Sequence, residues 1–266
     1  MKFFSKSLVD FPHKYFPNGN MPKVNLSCDP TNKFGYRCRE FDDRGDVNIL
    51  FLGDEWSLGE SLDFGLIYSS LVCEKLSAQC GFGVHGFNLS HRDKGYDYIS
   101  RTIWCALRTL NPDFVFICFP DMSRREYFAL NGRCIDFSPA KASAIAEKRV
   151  KVNRIERELI GTMRDLYTRF DEPINALKNY VLIEALMSET GIPWAVSVNG
   201  NNAANEHLAL MFEKKLFNKE RFMDFTFDLI DVAPDNETPG VKSHEVFGNQ
   251  LFTWLCDNMP SIRRIK

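Results

Sequence analysis

Apolar and polar positions follow two rhythms along this chain. Short, nearly unbroken apolar runs occur in VNILFLG (47–53), GFGVHGFNL (81–89), DFVFICF (113–119) and IPWAVSVNG (192–200). Runs of that length read as strands buried on both faces. Between them apolar residues recur at helical spacing, in LDFGLIYSSLVCEKLSAQ (62–79), YDYISRTIWCALRTL (96–110) and EPINALKNYVLIEALMSETG (172–191). The charged stretch 138–170 reads as one long helix, with Ser138 as N-cap, Pro139 at the first helical position and a solvated face. Residues 205–219 read as helical and 222–231 as mixed. SHEVFGNQLFTWLCDNM (243–259) predicts a last helix begun by Ser243.

Strands alternating with helices predict an α/β fold, a three-layer sandwich around a mostly parallel, flavodoxin-like sheet of about five strands. Ligands of such sheets bind at the carboxyl ends of the strands. The loops at 53–61, 90–96, 120–126, 199–204 and 233–244 are therefore the places to look for chemistry. Residues 1–45 fit neither rhythm. Pro12, Pro17, Pro22 and Pro30 interrupt them, and aromatic residues recur between. They read as an irregular N-terminal arm, laid over a domain or bound to a neighbour. A single α/β domain is expected from 46 to 266.

Composition narrows the function classes. Net charge is −2 over 266 residues, which argues against broad electrostatic capture of nucleic acid. The longest strongly apolar run, Phe114 to Phe119, falls far short of the roughly 20 residues of a membrane span. Lys6, Asp10 and Pro12 break up the start of the chain, so no secretory signal is expected. Eight cysteines form no CxxC pair, which speaks against a zinc ribbon and for a reducing, cytoplasmic setting. His85 reads as a core or rim histidine. Arg124, Arg125, Lys148, Arg149 and Lys151 read as a solvated helix face. NGNN (199–202) reads as a sheet-edge loop. Asp54, Glu55, Asp121 and Asp235 would suit a hard cation if they met at one edge. Their spacing is not diagnostic, so separate carboxylates are expected and no metal or cofactor is implied.

Two blocks carry specific information: ILFLGDEWSLGESL (49–62), a strand, a turn and a helix, and APDNETPGVKSHEVFGNQLFTWL (233–255). Together they resemble the SGNH (GDSL) hydrolase family, whose first block reads roughly G-D-S-x-T-x-G and whose last reads D-x-x-H-P-G. Gly53, Asp54, Ser57 and Gly59 match the first pattern; Asp235, Pro239, Gly240 and His244 match the second. NKFGYRCREF (32–41) and NPDFVFICF…SRREYF (111–128) are similar to the lead-in and third block of phage-type members. The resemblance implies an ester-hydrolase fold, and it implies which residues are missing. Glu55 stands at the position of the nucleophilic serine and Thr238 at that of the catalytic histidine. Asp235 is the one triad residue left. The glycine of the second block (Asn88–Lys94) is not in register, and the third block has Asp121 without an asparagine donor. Ser57 matches a turn hydroxyl and is read as helix-opening. His244 matches the family's second histidine, which is not the base. Asp54, Ser57 and His244 are expected on the rim of the remnant pocket.

Acyl transfer needs a nucleophile, a base and oxyanion donors, and loss of one triad member costs about 10⁴–10⁶ in rate. The first expectation is therefore a catalytically inactive domain, retained as a structural or binding protein of phage or viral kind. Its partner would be a protein or a second copy, engaged through the arm. An active esterase on carbohydrate or lipid esters and a carboxylate–metal hydrolase are the alternatives. Glu55 is expected to fill the oxyanion site of the first turn with its own carboxylate, under the backbone N–H groups and closed by Thr238.

Overall fold

The structure, a computed structural model, describes residues 31–128, 134–147, 149–166, 168, 170–200 and 206–259. The apolar runs become β1 (Val47–Leu52), β2 (Val84–Asn88), β3 (Phe114–Phe119) and β6 (Trp194–Val198), joined in the parallel order β2-β1-β3-β6. A fifth line follows β6 as isolated bridges. The Met223 N–H donates to Val196 O (2.8 Å) and the Phe227 N–H to Val198 O (3.0 Å), both from the stretch read as mixed.

Successive side chains of a strand face opposite layers, and both faces here are apolar. Val115, Ile117 and Phe119 pack against α3 (Tyr96–Leu110) and α6 (Asp171–Thr190), through Ile99, Ile103, Tyr180 and Ile183. Phe114, Phe116 and Cys118 face α2 (Tyr68–Cys80) and α8 (Val241–Asn258), through Val72, Leu76, Phe247 and Leu251. Each large side chain so buried contributes roughly 1.5–3 kcal/mol. This is the three-layer α/β sandwich read from the pattern.

Three expectations change. The stretch 138–170 is not one helix. Ser138 caps α4 (Pro139–Ala146) by accepting the Lys141 N–H (3.1 Å), and Asn153 restarts α5 (Arg154–Leu166) by accepting the Glu156 N–H (2.9 Å). The stretch between them, EKRVKVN (147–153), holds its apolar residues Val150 and Val152 two apart, a spacing that does not continue the helical face. A two-stranded antiparallel hairpin, β4 (Arg125–Phe128) with β5 (Cys134–Phe137), precedes α4. Its strands are too short for alternation to be read. α8 starts at Val241 behind Gly240, not at Ser243, because the cap is supplied from a distance. Asp231 accepts the N–H groups of Lys242 (3.1 Å) and Ser243 (2.7 Å). The remaining helices are α1 (Glu55–Leu58) and α7 (Glu206–Glu213).

Residues 31–45 form neither helix nor strand, and 1–30 lie outside the described residues. The described part of the arm is fastened to the domain. Cys38 is fully buried in the same apolar cluster as Phe87 of the edge strand β2. Buried Arg37 donates to the carbonyls of Leu58 (3.1 Å), Gly59 and Leu62. Those carbonyls end α1 and form the turn after it, so one guanidinium fixes the chain that leaves the first block.

Removing that guanidinium strands several buried acceptors. Arg37→Ala is expected to lower unfolding free energy by about 3 kcal/mol, read from urea denaturation. A change within about 0.5 kcal/mol, the usual surface value, would contradict this role.

Candidate functional site

The carboxyl ends of β1, β2, β3 and β6 converge on one group of charges. β1 ends in Gly53, where a Cβ would collide with the Ser57 side chain; this close approach lets α1 begin at once. Asp54, fully buried, is the N-cap. Its Oδ1 accepts the Trp56 N–H (3.0 Å) and its Oδ2 accepts Asn199 Nδ2 (3.2 Å) from the end of β6. Glu55, the next residue, is gripped by Arg124. Nη1 donates to Oε2 (2.7 Å) and Nη2 to Oε1 (2.5 Å), a two-pronged pair. The Asp93 N–H adds a third bond to Oε2 (3.1 Å). Arg124 Nη1 also lies 3.4 Å from Asp54 Oδ2.

Local sequence explains how Arg124 gets there. After β3, Asp121 Oδ1 accepts the Ser123 N–H (2.7 Å) and its carbonyl accepts the Arg124 N–H (3.4 Å). This tight turn aims Arg124 back over α1. Gly95 permits it: a Cβ there would sit 2.7 Å from both Cβ and O of Arg124. Asp93 holds φ +60°, the left-handed region where a glycine is most at ease, which presents its N–H to Glu55. The N–H that reaches Glu55 from the stretch Asn88–Lys94 is thus that of an aspartate.

The charges set the protonation states. Burial first, then the charge of Glu55, push Asp54 up to about 7 against the pull of Arg124. Burial also acts to raise Glu55, but the hydrogen bonds and charge of Arg124 outweigh it and hold Glu55 below its usual value. Arg124 itself is raised, its burial overcome by the two carboxylates. A desolvated carboxylate at this turn is stable only with such a partner.

Asp235 lies apart from that pair and is saturated. Oδ2 accepts Ser61 Oγ (2.5 Å) and Thr238 Oγ1 (2.6 Å), and Oδ1 accepts the N–H groups of Glu237 (2.9 Å) and Thr238 (2.9 Å). These bonds outweigh its desolvation and hold it well below the carboxylate range. At the mouth Arg92 reaches Glu60 (3.6 Å) and Glu237 (3.7 Å).

Several expected placements are corrected. Thr238 does not close over Glu55. It sits in the same tight turn as Asp235 and spends its hydroxyl there; Arg124 closes the site instead. The expected backbone donor to Glu55 is present, but it comes from Asp93 across the sheet edge, while the Trp56 N–H is taken by Asp54. Ser57 does not open the helix; Asp54 does, and Ser57 is buried in it. Asp54 and His244 are not on a rim: both are fully buried. His244 Nδ1 accepts the Tyr68 N–H (3.1 Å), and burial together with the charge of Arg37 lowers it to about 3, a neutral core imidazole. Asp121 shapes a turn rather than facing Glu55. Arg124 and Arg125 are on no helix face. Arg125 extends β4 and donates to the Asp171 carbonyl. Arg149 pairs with Glu147 (2.7 Å) on the surface, and Lys151 is exposed. Lys148, Asn201 and Asn202 lie outside the described residues. His85, half-buried, meets the Asp43 carbonyl through Nδ1 (3.0 Å).

The four carboxylates named for a cation do not converge. Among the described residues, Glu126, Cys134 and Asp136 are the trio whose candidate ligand atoms all lie within 4.8 Å of one another. The Lys94 ammonium already bonds there, 2.7 Å from Asp136 Oδ1 and 3.2 Å from Glu126 Oε1.

No protein family and no curated protein matches the chain. Solved structures do. A psychrotrophic esterase from Pseudoalteromonas sp. shares 12% identity over 79% of this chain and 97% of its own, with a TM-score of 0.47. A putative lipolytic protein of the G-D-S-L family from Desulfitobacterium hafniense shares 9% over 78% and 98%, TM-score 0.45. A catalytic mutant of an acetylxylan esterase from Geobacillus stearothermophilus shares 13% over 78% and 93%, TM-score 0.45. These are similarities of fold; the parallel sheet itself is established by its strand order and pairing.

The ion pair gives a signed pH prediction. Arg124→Met leaves Glu55 and Asp54 desolvated without their cation. The loss should be about 3 kcal/mol above pH 7, where Glu55 must either stay charged without its cation or take up a proton against the solvent pH. It should shrink as pH falls toward 5 and the orphaned carboxyls take up protons. Adding Glu55→Gln should recover part of the loss at pH 8. Urea midpoints across that range check this; a loss independent of pH would contradict it.

Proposed function

We propose that this chain is a catalytically inactive domain of ester-hydrolase type that serves as a structural or binding protein. One observation carries the reading: the position from which a hydroxyl would attack is filled by Glu55, locked by Arg124 and the Asp93 N–H. A carboxylate in that bond pattern accepts hydrogen bonds and supplies no alkoxide. The donors around it, which in an esterase would steady a developing oxyanion, are spent on a permanent negative charge.

The rest of the machinery agrees. Asp235 would orient a histidine in a triad; here its four partners are two hydroxyls and two backbone N–H groups. His244 is turned to Tyr68. The phage-type resemblance of 32–41 and 111–128 supports an assembly role in a virus or phage particle, with protein as the partner class.

The esterase reading would need a serine and a base that act despite this geometry. Purified protein is expected to hydrolyse p-nitrophenyl acetate no faster than an Asp235→Ala variant. Saturable turnover that falls at least about 10³-fold on that substitution would overturn the proposal.

A further inference from the structure

The stretch between β3 and α6 has a small core of its own. Ile135, Phe137, Ala142, Ile145 and Ile160 cluster there, apart from both layers of the sandwich. Between α4 and α5 runs a groove of about 190 Å³. Ala142, Ile145 and Ile160, all buried, give it an apolar wall. Gly161 is the odd residue in that lining. Glycine is the poorest helix-interior residue after proline, and packing does not call for one here. A Cβ added at Gly161 would meet no atom within 4 Å beyond its own turn of α5. What the missing side chain leaves is room in the groove.

Charge selects the occupant. The charged residues of the lining are Arg157 and Arg164, which stand one turn to either side of Gly161 on the same stripe of α5. Arg157 is exposed and has no ion-pair partner among the described residues, whereas Arg154 beside it pairs with Glu158 (2.7 Å). Arg164 lies 2.9 Å from Asp165, its exposed neighbour in sequence. A surface pair of that kind is worth little and exchanges for a better-placed carboxylate. Acidic residues are absent from the described lining, so a basic occupant is a poor match and an acidic one a good match. A phosphate backbone would suit the arginines but not the alkyl wall between them. The two arginines stand about 10 Å apart along the axis of α5, which carboxylates two turns apart on a second helix can meet. Ala142 and Gly161 are small enough to let that helix lie close.

We propose that the α4–α5 groove is a docking site for an acidic amphipathic helix of a partner protein. An apolar side chain of that helix enters the space above Gly161, and carboxylates a turn to either side pair with Arg157 and Arg164. This names a partner class for the binding role proposed above without resting on it. The groove shares no residue with the Glu55 turn, so ester turnover there would leave the docking site standing.

A display library of helical peptides of about 16 residues, long enough for four turns, selected on the full chain, tests it. Enriched peptides should share one large aliphatic residue with Asp or Glu three or four positions to either side. In fluorescence anisotropy the tightest of them should bind Gly161→Leu, whose side chain fills the groove, at least about tenfold more weakly. The double variant Arg157→Glu, Arg164→Glu should lose as much. Gly161→Leu should melt no lower than the parent chain, because leucine is the better helix former and meets open space. Enrichment of basic or uncharged peptides, equal binding by Gly161→Leu, or no enrichment at all would overturn the proposal. A lower melting temperature for Gly161→Leu would also overturn it, since the fold itself would then need the glycine. So would a dimer of the parent chain that Gly161→Leu splits, because the occupant would then be a second copy.

Discussion

The guanidinium of Arg124, shared between Glu55 and Asp54, is the contact on which the carboxyl edge of this sheet depends. It draws in four strand ends. Glu55 and Asp54 follow β1, Asp93 and Lys94 follow β2, Arg124 follows β3, and Asn199 at the end of β6 bonds the far oxygen of Asp54. Each loop conformation answers to it: the left-handed Asp93, the Gly95 that lets the third loop approach, and the Asp121 turn that aims the arginine. Glu55 and Arg124 are 14% and 18% exposed at their side chains, so water solvates neither fully. At that burial one partner without the other is strongly unfavourable, and the pair is held as a unit.

This arrangement places a permanent charge at the turn where the first strand passes into α1. A short helix opening straight off a strand presents N–H groups and a buried aspartate cap, useful for steadying negative charge that appears during a reaction. Here the negative charge is covalently present at all times. A second buried charge centre, with Lys94 and Arg101 on Glu126 and Lys94 on Asp136, ties the β4–β5 hairpin to α3 immediately beside it. The region is therefore built as a charge-balanced joint between the strand-end loops, the β4–β5 hairpin and α3.

Much of this was readable from residues. Apolar runs place β1, β2, β3 and β6 because strands buried on both faces need no alternation to be seen. Gly53, Asp54 and Glu55 stand out because the turn they form follows a buried strand at a fixed spacing, and Asp235 because it sits in a second block before the last helix. What escaped depends on long-range contact. Nothing local marks Arg124 as the partner of a residue 69 positions away, although a carboxylate in a buried turn requires a cation and Arg124 lies within the third block. The break between α4 and α5 depends on Asn153 acting as a cap inside a charged run. His244 follows the family spacing yet lies in the core, since sequence position does not reveal which way a helix-start side chain turns.

The most direct measurement is the intact mass of the protein after exposure to an organophosphonate ester that phosphonylates activated serines, the serine oxygen displacing the leaving group from phosphorus. With Glu55 held by Arg124 at the attacking position, the mass is expected to remain that of the unmodified chain. A stoichiometric adduct on any serine near Asp235 would contradict the account.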